Sequence, residues 1–244
     1  MNCSPRCVLP AMLVIAGFAF PGEASAYLFD TNDATTVDPG SMEFELQPVG
    51  LYYGQGDDTY FVLPSFMAYV GLEPGIDILF LARGYRPVGG GGYSIGDTQA
   101  LLRFQLRDGN YDGEQDGASV VLQAGMLLPT YNDTEGVGFS YALLISHDLG
   151  YLTYHANVQV DVRRAPAFGL FASFALEGPT SWPVRPALEF YVDVEGDAVE
   201  GSALAGAIVD LGESAAVMAG ARVGQTSDGT VVEGRLSLWF HVGP

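Results

Sequence analysis

From Leu152 to Arg163 polar and apolar residues alternate without exception: Thr153, His155, Asn157, Gln159, Asp161 and Arg163 stand against Leu152, Tyr154, Ala156, Val158, Val160 and Val162. Neighbouring side chains on a β-strand point to opposite faces, so this run predicts a strand with one wet and one apolar face. Soluble strands usually span about five or six residues, whereas a tilted strand crossing a bilayer needs roughly 9 to 11. The length therefore favours a membrane strand over a strand of a soluble sandwich, provided the pattern recurs.

It recurs along most of the chain. Strands are predicted over Met42–Tyr53, Thr59–Leu72, Ile76–Arg86, Thr98–Arg107, Ser119–Leu128, Phe139–Asp148, Leu152–Arg163, Phe168–Glu177, Arg185–Glu195, Ser202–Leu211, Ala215–Gln225 and Thr230–Val242. Turn residues separate them, as in Glu73-Pro74-Gly75 and Leu149-Gly150-Tyr151, and almost no helical periodicity intervenes. About twelve strands, an even number, with charges on one parity and apolar residues on the other, predict an all-β, antiparallel, up-and-down transmembrane barrel. The competing folds are a secreted sandwich and a soluble barrel. Tyr52, Tyr53, Tyr85, Tyr141, Tyr151, Tyr154, Trp182 and Trp239 fall near strand ends, where interfacial girdles would lie. Pro48, Pro64 and Pro186 fall inside strands and predict bulges, because a closed barrel has no edge on which to hide a missing donor. With both ends in the periplasm, loops at Gly89–Gly96, Pro129–Gly136, Glu195–Gly201 and Gln225–Gly229 would face outward.

Composition narrows the picture. The chain has 244 residues and a net charge of −19, and its ten basic residues are all Arg. Such a balance excludes nucleic acid as a partner, since phosphate recognition needs a basic patch. Residues 1–26 resemble a cleavable secretory signal, with Arg6, an apolar run from Val8 to Phe20 and Ala24-Ser25-Ala26 before a mature start at Tyr27. An uncut membrane anchor is the other reading of that segment, although its apolar run is short for a spanning helix. Cys3 and Cys7 both lie within it, so no disulfide is expected in the mature chain. One domain, 27–244, would follow, with 27–40 as an irregular lead-in.

Several segments resemble the outer-membrane transporter family named for the meta-pathway of phenol degradation. The likeness rests on Thr31-Asn32-Asp33-Ala34, Pro39-Gly40-Ser41-Met42-Glu43-Phe44-Glu45, Gly96-Asp97, Leu127-Leu128-Pro129-Thr130, Ser146-His147-Asp148-Leu149-Gly150 and Leu152-Thr153-Tyr154-His155-Ala156-Asn157. The chain departs from the family at Tyr131, where a Gly usually follows Pro-Thr, and in its Phe240-His241-Val242-Gly243-Pro244 ending. The resemblance implies an outer-membrane barrel that passes small aromatic compounds. Outer-membrane lipid, the barrel-assembly machinery and an unidentified small solute are the expected partners, and no cofactor is implied.

The expected lumen-lining residues are Glu43, Glu45, Asp77, Arg83, Gln99, Arg103, Gln105, Arg107, His155, Asn157, Asp161, Arg163, Glu189, Asp193, Glu233 and Arg235. Facing rows of Arg and carboxylate can form a constriction that selects solutes by charge. They can equally form a mesh of ion pairs that fills the lumen, with Tyr27–Gly40 helping to seal it. Glu43, Glu45, Glu233 and Arg235 are expected to meet where the last strand closes on the first. Asp108, Asn110, Asp112 and Asp116 match the first half of a calcium loop, but Ser119 stands where a bidentate Glu belongs. A lipase-like Ser–His pair is disfavoured, because Ser146 and His147 are adjacent on one strand and point to opposite faces.

Overall fold

A computed structural model describes residues 30–54, 59–111, 115–129, 136–162, 168–212, 214–226 and 229–243. The proposed signal at 1–26, the start at Tyr27, Asp112 and Arg163 lie outside them. Twelve antiparallel strands close into a barrel: β1 Met42–Tyr53, β2 Thr59–Glu73, β3 Ile76–Pro87, β4 Ser94–Arg107, β5 Ser119–Leu127, β6 Gly138–Asp148, β7 Thr153–Val162, β8 Phe168–Glu177, β9 Val184–Glu195, β10 Ala198–Asp210, β11 Ala215–Thr226 and β12 Gly229–Val242. Each strand pairs with its sequence neighbours, and β12 closes on β1 through rungs such as Phe44↔Phe240. Every strand is nine residues or longer, the reach a tilted bilayer crossing requires.

The period-two pattern becomes two surfaces. Outward positions on every strand carry exposed large apolar groups, among them Leu51, Phe66, Phe80, Leu102, Leu122, Leu143, Val158, Phe174, Phe190 and Leu236. Apolar surface on this scale exceeds what a soluble monomer exposes and suits acyl chains. Tyr53, Tyr141, Tyr151 and Trp182 are exposed, as girdle residues should be. Trp239, by contrast, is fully buried, and Tyr52 and Tyr85 line an internal cavity. Their strand parity, not their closeness to a strand end, decides which side of the wall they occupy.

The register shifts at Leu46/Val49 and Val62/Ser65 place irregularities at Pro48 and Pro64. Pro186 does not make one: its rung with Ala207 is regular, and it lies one residue beyond the last β8 rung, Glu177↔Ala187, so the barrel absorbs the missing donor at the end of a ladder. The expected outward loop at Glu195–Gly201 is a two-residue turn, because Glu195 already pairs with Ala198 and Gly196 takes the positive φ of 57° that closes the hairpin.

The start of β1 and the end of β12 lie at one rim, called here the terminal rim. The chain before β1 does not stay there. Residues 30–41 run up the inside of the barrel, and Thr31, Asp33, Ala34, Thr35 and Val37 are buried within it. Gly71 admits this segment, since a Cβ at that position would collide with the Asp38 carbonyl. The Gly40 N–H donates to the Gly71 carbonyl (3.2 Å) and the Gly71 N–H to the Ser41 carbonyl (3.0 Å), fixing the re-entry.

Candidate functional site: the plugged lumen

Inward side chains divide the lumen into two halves. In the terminal half the plug packs into an interior that is mostly dry: Val37, Met67, Tyr69, Leu79, Leu101, Leu204, Ile208, Met218 and Trp239 form one apolar cluster. There the apolar inward side chains of β2, β3, β4, β10, β11 and β12 stand beside polar ones such as Asp77 and Arg103, so the plug is held by packing as well as by charge.

Polar contacts then fix the plug's register. Arg103 is fully buried, lies 3.4 Å from Asp77 and 3.7 Å from Asp33, and donates to the backbone carbonyls of Asp33 and Thr35. Its guanidinium also sits over the Tyr69 ring, 4.7 Å from the centroid. Asp77 accepts from the Val37 N–H at 2.9 Å, and the Thr36 hydroxyl donates to Gln105 at 2.8 Å. On the opposite wall the Ala34 N–H donates to Ser146 Oγ (2.7 Å), and Ser146 Oγ in turn lies 2.8 Å from His155 Nδ1. His155 Nε2 is 3.2 Å from Glu177 Oε1, near enough for attraction but outside hydrogen-bond alignment. Arg185 bridges Glu177 (2.6 Å) to Asp210 (3.0 Å) behind it. The Tyr111 ring meets His155 edge-on at 4.9 Å.

Nearer the far rim lies Asp30, the first described residue of the plug, where three guanidinium groups converge on one carboxylate. Arg83 lies 2.7 Å from Asp30, Arg235 2.8 Å and Arg222 3.8 Å. Burial alone would raise the Asp30 pKa, but Arg235, Arg83 and Arg222 outweigh it and hold the carboxyl far below the usual carboxylate range. Next along the plug, the Thr31 hydroxyl donates to Glu189 at 2.5 Å. Beyond Asp30 a cavity of about 400 Å³ occupies the far half of the lumen. Phe171 and Tyr191, with ring centroids 5.3 Å apart, form part of its wall together with Tyr52, Tyr85, Asp161 and Asp193.

Of the expected lumen residues, Glu43, Glu45, Asp77, Arg103, His155, Asn157, Glu189, Glu233 and Arg235 are buried inside the barrel, while Arg83, Gln99, Asp161 and Asp193 line the cavity. Arg107 does not belong with them. The β4–β5 register shifts between Gln105 and Arg107, so Arg107 leaves the inward parity and donates, exposed, to the Asp116 carbonyl at 2.6 Å. The expected meeting of Glu43, Glu45, Glu233 and Arg235 is also corrected. Strand closure sets Glu43 opposite His241 (3.3 Å between side chains) and Glu45 opposite Trp239, whereas Arg235 lies opposite Gly50 and pairs with Glu233 on its own strand (2.5 Å) and with Asp30. In the Asp108–Asp116 connection Asn110 is committed to the backbone of Asp148, accepting its N–H and donating to its carbonyl. Among the described residues no three His, Cys, Asp or Glu side chains converge as a metal site.

Sequence reasoning missed Asp30, Asp33, Ser146, Glu177, Arg185 and Arg222 as parts of this network. The chain has only ten basic residues, so an inward-parity Arg such as Arg222 could have been flagged by its parity alone. Asp30 and Asp33 lie outside any strand, where no periodicity reports direction.

No family model and no curated protein matches the sequence. Solved structures do share the architecture. An outer-membrane channel from Pseudomonas putida F1 superposes with a TM-score of 0.55 at 10% identity, covering 88% of this chain and 100% of that one. A KdgM porin in complex with disordered oligogalacturonate gives 0.52 at 8% identity, covering 82% and 98%. The fold is thus that of outer-membrane channel barrels. Identities this low carry the fold and no solute.

Proposed function

We propose that this chain is an outer-membrane channel for small solutes, its lumen narrowed by its own N-terminal segment. The observation that carries the reading is the cavity of about 400 Å³ in the far half of the barrel, lined on one side by Asp30 and Asn32 of the plug. That volume suits one small organic molecule. Side chains alone nearly fill a barrel of about eight strands, and barrels of about 16 to 18 leave a wide aqueous channel. At twelve strands the internal segment supplies what the wall cannot, and a solute path depends on where that segment sits.

The finer parts of the reading follow from the sequence. The resemblance to the phenol meta-pathway transporters, together with Phe171, Tyr191, Tyr52 and Tyr85 around the cavity, favours aromatic solutes. Residues 1–26 act as a cleaved export signal, the assembly machinery inserts the barrel, and the apolar outer face rests in lipid. The Ser146–His155–Glu177 row has the composition of a hydrolytic triad, but Ser146 is fully buried and its oxygen takes the Ala34 amide, so we read it as a plug latch.

Single-channel recording in planar bilayers tests the reading. The intact barrel should give small, fluctuating conductance, and a variant lacking residues 30–40 should conduct severalfold more. If both remain silent while migrating as folded barrels, the protein is not a channel.

A further inference from the structure

The convergence of Arg83, Arg222 and Arg235 on Asp30 is more than an anchor for the plug. Arg103 and Arg185, also buried, are not among the residues lining the cavity. These three guanidinia instead line the cavity together with the carboxylate they hold. The Arg83 side chain remains 29% exposed, and the Arg222 guanidinium stands over the Tyr191 ring at 5.0 Å. A planar guanidinium fork matches a carboxylate in shape as well as charge. Asp30, whose carboxyl is held far below its usual range, reports that this point in the lumen favours an anion.

We propose that Arg83, Arg222 and Arg235 form a binding site for the carboxylate of a small aromatic monocarboxylic acid, which Asp30 occupies from within as an internal stand-in. A solute arriving from the far rim meets the three guanidinia with its acid group while its ring rests on Phe171 and Tyr191. It exchanges with the Asp30 side chain and releases this residue of the plug from the wall. The surroundings set the ligand's charge. Glu233 already contacts Arg222 at 2.8 Å and Arg235 at 2.5 Å, and Glu200 lies 3.6 Å from Arg222. Among the described residues the cavity wall carries seven carboxylates against three guanidinia. Asp30 stays on the chain when displaced, so a monocarboxylate adds one negative charge that the three guanidinia take up, whereas the second charge of a dianion meets this carboxylate excess uncompensated. The inference rests on the far half of the lumen being a solute path, yet its binding step can be read without conduction.

The test uses the full-length barrel purified in detergent, the variant Asp30→Asn, and three probes of similar size: benzoate, benzyl alcohol and benzylammonium. Calorimetry should show benzoate binding Asp30→Asn about tenfold more tightly than wild type, because the internal competitor is gone. Benzyl alcohol and benzylammonium should bind neither. Adding Arg83→Gln, at the partly exposed edge of the cavity, should weaken benzoate about tenfold while heat-modifiable migration stays that of a folded barrel. Equal benzoate binding to wild type and Asp30→Asn, equal binding of all three probes, or indifference to Arg83→Gln overturns the proposal. Should Asp30→Asn fail to fold, its refolding yield must rise with benzoate and not with benzyl alcohol; equal yields overturn it too. Benzoate binding by a barrel that never conducts would overturn the channel reading and leave this site standing.

Discussion

Two buried arginine centres hold the same plug by different means. Arg103, in the terminal half, is wrapped by Asp33, Asp77, Tyr69 and two backbone carbonyls, and it is wholly out of solvent. The Arg83–Arg222–Arg235 group, toward the far rim, grips the Asp30 side chain of the plug and opens on a cavity. The first fixes backbone, which no solute can replace. The second fixes a carboxylate, which a solute can copy. Charge burial by itself therefore says little about role; what the charge is paired with, and whether that partner is exchangeable, decides whether a centre is a lock or a site.

The comparison can be broken most forcefully at the lock. Replacing Arg103 by Ala leaves Asp33 and Asp77 buried without their counter-charge, and should cost about 3–5 kcal/mol of barrel stability, read as the unfolding midpoint in detergent. A loss below about 1 kcal/mol would mean that the terminal half is wetter than its packing indicates. Next in size is the opposite wall of the same half. Ser146→Ala removes the acceptor of the buried Ala34 N–H and should cost about 1–3 kcal/mol, with plug release visible as increased conductance. An unchanged barrel would show that the Ser146 latch contributes nothing.

At Asp30 the expected effect is smaller and depends on pH. The folded-state pKa of Asp30 is lowered, so its contribution is complete above the unfolded carboxyl value, near 3.9, and fades as pH falls below it. The stability gap between wild type and Asp30→Asn should therefore be constant near neutrality and shrink from about pH 4 downward. A gap that stays constant into acid would detach Asp30 from the three guanidinia. The smallest effect belongs to Arg107, which left the lumen at the β4 register shift. Arg107→Gln should stay within about 0.5 kcal/mol of wild type and leave conductance unchanged.

The wall was readable from the chain because strand parity is a local property. Alternation in residues 152–163 and its repeats gave the number of strands, the closed antiparallel order and the inward placement of Glu43, Asp77, Arg103, His155, Glu189, Glu233 and Arg235. Where parity slipped, prediction slipped with it. A one-residue irregularity turned Arg107 out, and the extent of the β1–β12 stagger, which no local pattern encodes, separated Arg235 from Glu43 and Glu45 and joined it to Asp30. Trp239 and Tyr85 fell inside because they share the inward parity of Arg235 and Arg83, although both had the position of girdle aromatics.

What the sequence alone determined, then, is a barrel wall: period-two alternation over long strands forces one apolar and one polar face, and turn residues force antiparallel neighbours. The content of the lumen, by contrast, was settled by contacts between elements. Residues 30–41 have no periodicity to announce a direction, and their course depends on groups from many strands at once, on the Arg83–Arg222–Arg235 cluster, on Arg103 and Asp77, on Ser146 and on the space left by Gly71. Arg83 on β3 and Arg222 and Arg235 on β11 and β12 become neighbours only when β12 meets β1, since closure brings together side chains far apart along the chain.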